Sequence, residues 1–180
     1  MFKRLGSAAV CAVLFSLLWN CASTPRKNEE TLHELIRKGR DEEAKERLTA
    51  LAGINETDDD GNTALHLAAS ADNGDMVLFL LEKGADTNAK NNCGQTPLHL
   101  AVENNSLQSA KHLVSFGTDI FSRNNDGISP LEAGFSRSSD YYSIFITEQN
   151  AEQQDRQTGR TIVHYCAVTQ NAEALQICIQ

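Results

Sequence analysis

Aromatic residues are scarce in this 180-residue chain, at 6% of the total. A core with so few rings must be built from Leu, Ala, Ile and Val, as stacked helices are. Clustered Lys and Arg are missing as well. There are 16 basic against 24 acidic side chains, a formal charge of −8 and a pI near 5.1. Phosphate contacts need grouped cations, so the chain is a poor ligand for nucleic acid and no such partner is expected. The acidic balance suits a basic or neutral partner surface. No Gly-rich phosphate loop occurs. The acidic stretch DDDGN at 58–62 lacks the alternating ligands and terminal Glu of a calcium loop, and reads as a solvated turn.

What is present begins with the N-terminus. Lys3 and Arg4 precede an uncharged apolar stretch, Leu5–Trp19. It has the make-up of a secretory h-region and is short for a membrane-spanning helix. Removing residues 1–20 leaves 14 basic against 24 acidic side chains, a formal charge of −10. The sequence Leu18-Trp19-Asn20-Cys21 then resembles a bacterial lipoprotein signal, although Trp19 is bulkier than the residues usual there. The resemblance implies lipid attachment at Cys21, a tether over 21–27, and a membrane-anchored protein in the cell envelope, on its periplasmic or surface side. Two other readings stay open: a plain signal peptide cut near Ala22, and an uncleaved anchor.

Internal periodicity is the strongest signal in the chain. Segments starting at Asp60, Cys93 and Asp126 align, and a fourth starts at Thr158. Gly61, Gly94 and Gly127 recur every 33 residues, with Gly159 after 32. GQTPLHLAV and LLEKGADTN carry a specific pattern that resembles the ankyrin repeat. That resemblance implies an all-α solenoid of stacked helix-turn-helix units with short hairpin-like fingers. Five units are expected: 28–59, 60–92, 93–125, 126–157 and an incomplete 158–180. The glycines suit turns with positive φ. Thr63, Thr96, Ser129 and Thr161 are expected as N-caps, with Pro97 and Pro130 at N1. Leu65, Leu98, Leu131 and Val163 are expected in the core, and Ala68, Ala101, Gly134 and Cys166 where helices approach closely. Gly84 and Gly117 end the second helices. The charged first unit reads as a polar cap. The fourth, with Glu132 for His, Phe135 for Ala and Asn150 for Gly, is expected to be irregular. The last helix, AEALQICIQ, is apolar, so either it packs on a partner or the natural chain continues.

No catalytic residue, metal site or cofactor is expected. His66, His99 and His164 occupy equivalent positions in units stacked about 8–10 Å apart. Zinc ligands must come within about 2.1 Å of one ion. Each imidazole is therefore expected to bond backbone near its own helix start. Cys93, Cys166 and Cys178 are an odd number of thiols. Cys166 and Cys178 fall on facing helices, where a bridge is conceivable and buried small side chains are the plainer reading. His164 and Cys166 are two apart on one helix and do not face each other.

The ankyrin resemblance implies a protein partner bound through finger tips and the concave inner-helix surface. The variable positions there are Thr57, Asp59, Asn62, Lys90, Asn92, Gln95, Arg123, Asn125, Ile128 and Arg160, with Glu103 and Asn104 at helix ends. Phe121 beside Arg123 reads as the leading interface pair, or else Phe121 tucks under its own finger. Two functions are consistent with this: an envelope-attached module that docks another exported protein, or a scaffold that belongs to a longer array or self-associates through its last helix.

Overall fold

A computed structural model of the chain describes residues 30–50, 53–169 and 171–179. The expected signal sequence and Cys21 lie outside the described residues. The helices belong to one compact unit that begins at Leu32. Among the described residues there are eleven helices and no strand beyond isolated bridges at Thr57–Thr63 and Gln154–Thr161. None of these helices is long and apolar enough to cross a membrane.

The helices come in pairs. The first pair is α1 (Leu32–Arg37) and α2 (Asp41–Ala50). The second is α3 (Ala64–Ser70) and α4 (Gly74–Glu82), and the third α5 (Pro97–Glu103) and α6 (Leu107–Ser115). The fourth is α7 (Pro130–Arg137) and α8 (Asp140–Phe145), followed by a single turn, α9 (Glu148–Ala151). The fifth is α10 (Ile162–Val168) and α11 (Ala172–Ile179). First helices stack in the order α1, α3, α5, α7, and second helices in the order α4, α6, α8. The fifth pair is attached chiefly by α11 against α8 and α10 against α9.

Local chemistry sets these boundaries. Thr63, Thr96, Ser129 and Thr161 hold the extended backbone of an N-cap, and the fourth residue of each box returns a side-chain bond to the cap's N–H. Between the helices of each of the first three pairs the chain passes once through the left-handed region. Gly39 does so at φ 68°, Asp72 at 52° and Asn105 at 58°, all in one register. Asp and Asn are the non-glycine residues that tolerate this best.

Leu65, Leu98 and Leu131 are fully buried at equivalent positions, with Ala68 and Ala101 between them. The fifth unit departs from this. Val163, expected in the core, is 44% exposed, because among the described residues no further helix pair covers α10. The first unit buries Ala44 and little else of α2, as a polar cap should.

Unit four is irregular for a visible reason. A Cβ on Gly134 would lie 2.4 Å from the ring of Phe145 and 3.2 Å from Tyr141. The close approach is made by the unit's own second helix, and not by a neighbouring first helix. Tyr141 and Phe145 stack there at 5.8 Å, and Phe135 meets Tyr142 edge-on at 5.0 Å. Aromatic volume replaces the aliphatic core of units two and three. Asn150, where a glycine is usual, is fully buried and donates to the Phe145 carbonyl at 3.3 Å.

Candidate protein-binding surface

The finger turns are built by one side chain each. Asp58 Oδ1 accepts from the N–H groups of Asp60 and Asn62. Asn91 Oδ1 accepts from Cys93 and Gln95, and Asn124 Oδ1 from Asp126 and Ile128. This pins the backbone so that Gly61, Gly94 and Gly127 can turn at positive φ. At Gly61 and Gly94 the turn also presses on the next finger. A Cβ would lie 2.6 Å from Asn92 Oδ1 and 2.4 Å from Asn125 Oδ1.

Asparagines then ladder the fingers together. The backbone N–H of Asn92 donates to the Asp60 carbonyl, and its side chain to Asp59 O at 3.0 Å. Asn125 repeats this on Cys93 O and Asn92 O. Lower down, His66 joins units two and three. Its Nδ1 accepts the Thr63 N–H at 3.1 Å, which assigns the ring proton to Nε2, and Nε2 donates to Gln95 O at 3.0 Å. His99 does the same between Thr96 and Ile128 O, at 3.0 and 3.1 Å. Each ring thus bonds its own helix start as expected and also reaches the next unit. Burial pushes both pKa values down, that of His99 to about 4. Neutral imidazole is the form that this bonding needs. Among the described residues, no three His, Cys, Asp or Glu side chains gather as ligands for a metal.

The junction between units three, four and five works differently. Glu132 stands where the histidine stood and has no proton to donate. It accepts the Ser129 N–H and a forked pair of bonds from Arg123 at 2.9 and 3.1 Å. Arg123 also donates to Asp155 at 3.0 Å and to the Tyr165 hydroxyl at 3.1 Å, and Tyr165 donates to Asp155 at 2.5 Å. Asp155 is only 2% exposed. Burial by itself would raise its pKa. Bonds from Tyr165, the Gln157 amide, Thr158 and Arg123 outweigh that and hold it well below the usual carboxylate range. The Glu132 bond is the main reason that the Arg123 guanidinium holds its proton more firmly than usual.

Of the two readings of Phe121, the structure has the buried one. Phe121 is buried, with its ring 5.8 Å from that of Tyr165. It replaces Asn88, whose side chain accepts the Asp119 N–H in the preceding unit, so the asparagine pattern stops here and an apolar contact takes over. Arg123 is turned inward with it. Its side chain keeps 20% of its surface exposed.

The other sequence candidates divide in two. Asn92 and Asn125 are exposed but committed to the ladder. Asn104 is exposed and bonds Ser70 at 3.1 Å, and half-buried Gln95 donates to Glu103 at 2.5 Å. Lys90 donates to Arg123 O at 2.7 Å while staying exposed. Ile128 is 45% exposed with its backbone fixed on both sides, and Arg160 is exposed. Asn62, Gln95, Ile128 and Arg160 share one register, a row running across the fingers.

A profile of ankyrin repeats, in three copies, matches residues 18–124. The chain belongs to the ankyrin-repeat family. A search among curated proteins returns no match. Ankyrin repeats generally mediate protein–protein interaction. In this ankyrin stack the repeated chemistry of histidine, asparagine and glycine is consumed by stacking. Sequence reasoning missed the Asx residues, although Asp58, Asn91 and Asn124 each stand three before a turn glycine. It also missed Asp155 and Tyr165, which lie far from Arg123 along the chain.

Proposed function

We propose that this chain is an exported binding module, lipid-anchored through Cys21, that docks a partner protein along its finger row. Ile128 carries the reading. It is a large apolar side chain, 45% exposed, on a turn whose backbone is pinned by Asn124 and His99. A rigid apolar anchor rimmed by polar groups is what an interface centre requires. Lys90, Glu103 and Arg160 supply exposed charge on the same finger and inner-helix side. Photo-cross-linking of the full chain in its native envelope tests this. One exported protein should be captured, and Ile128→Glu with Arg160→Glu should abolish capture while Phe116→Ser, at the end of α6, leaves it. Capture that survives the double variant rules out the finger row. Lipidation is read separately with an alkyne fatty acid, whose incorporation should vanish in Cys21→Ser.

Self-association is a second reading. It is favoured by the uncovered face of unit five, where Val163 is 44% and Val168 63% exposed. Beside that face, a pocket of about 200 Å³ lies between Ile146 and Ala151 of unit four and Ile162, Val163 and Ile177 of unit five. A second copy seated on it gives a defined dimer by light scattering, and Val163→Asp would return the monomer.

A further inference from the structure

We propose that Cys166 and Cys178 are a redox-sensitive pair that closes into an intramolecular disulfide on meeting a low-molecular-weight disulfide. Both thiols are free and lie on the two helices of unit five, with Sγ atoms 3.9 Å apart. A disulfide bond is about 2.05 Å long, so each sulfur needs to move by about 1 Å, within reach of a side-chain rotation. The positions are unequal. Cys166 on α10 is fully buried, and Cys178 on α11 is half-buried and lines the pocket beside Ile177. Cys93 is exposed in a finger turn two units away in the stack.

That inequality orders the chemistry. Burial, and then the neighbouring Cys178, pushes the Cys166 thiol up to about 12, so it is not the first nucleophile. The Cys178 thiolate attacks one sulfur of a disulfide such as oxidised glutathione. A mixed disulfide forms and one glutathione thiolate leaves. Cys166 then attacks the Cys178 sulfur, its proton passing to solvent, and the second glutathione leaves. Two protein thiols are oxidised by two electrons, one glutathione disulfide is reduced to two thiols, and the cysteine protons end on these. The product ties α10 to α11 in the unit with least support from its neighbours. It also moves the Cys178 sulfur, which lines the pocket between units four and five.

The test is the full chain incubated with oxidised glutathione and mapped by non-reducing peptide mass spectrometry. The expected result is one peptide pair joined through Cys166 and Cys178, two hydrogens lighter than the separate thiols and restored by reductant. Cys166→Ala should halt the reaction at a glutathione adduct on Cys178. The cross-linked form should be cleaved more slowly by protease within α11. Stable glutathione on Cys178 in the unsubstituted chain, or Cys166 and Cys178 both remaining thiols while Cys93 is modified, overturns the proposal.

Discussion

Units two and three differ from units four and five in how neighbours are joined. In the first pair, neutral histidines and asparagines bridge each unit to the next in the same way, through backbone carbonyls. Each junction depends only on the adjacent unit, as a one-dimensional stack should. In the second pair a single guanidinium reaches Glu132, Asp155 and Tyr165, and aromatic rings fill the core. The loss of one histidine at Glu132 removes a donor, and Arg123 supplies it from the finger side. A substitution that breaks a repeat pattern can thus be compensated by a side chain that looks like a binding residue.

The contrast is most vulnerable at Arg123. Arg123→Met should destabilise the chain by about 3 kcal/mol, because Asp155 is left buried and charged. Hydrogen exchange should show the loss in α10 and α11, with α3 to α6 still protected. Loss spread evenly over the stack would mean that the two halves are not distinct.

A pH titration probes the regular half. The folded pKa of His99 is about 4 against an ordinary 6.5. Its neutral form therefore contributes stability that is present above pH 6.5 and lost as pH falls towards 4, up to roughly 3 kcal/mol. His99→Gln should flatten the stability profile between pH 7 and 4. Asp155, also depressed, acts lower: its contribution is present above the ordinary carboxylate range and is lost as pH falls below it. An unchanged slope in His99→Gln would contradict the neutral bridge.

Glycine-to-alanine changes should have opposite signs in the two halves. Gly134→Ala forces the new methyl into Phe145 and should lower stability by about 2 kcal/mol. Gly74 is the first residue of α4, and a methyl there meets His112 no closer than 3.4 Å. Gly74→Ala should therefore raise stability, by about 0.5 kcal/mol. Thermal melts of the two variants check this. A local effect is expected at Asn92→Ala, about 1 kcal/mol for the lost rung between fingers. It should appear as faster exchange of finger amides.

How much of this was legible depended on how local the cause is. Thr63, Pro97 and the turn glycines act within a few residues, so their roles follow from spacing. Asp72 and Asn105 take up Gly39's left-handed turn, which their residue types permit. The stack's family follows from repeated motifs. The site did not follow as well. Whether Phe121 faces water depends on Tyr165, and whether Arg123 is free depends on Asp155 as well, both more than thirty residues on. Val163 carries the core residue type of its register, yet its burial needs a following unit. Exposure at a repeat position is decided by the neighbour and not by the residue.

Ile128, and not Phe121, is the apolar side chain offered by the fingers. Oxidative footprinting of the full chain, read by mass spectrometry at single residues, tests this without any partner. Strong modification of Ile128 and Val163 is expected, with Phe121 protected. Phe121 modified as readily as Ile128 would place the aromatic outside and overturn the assignment.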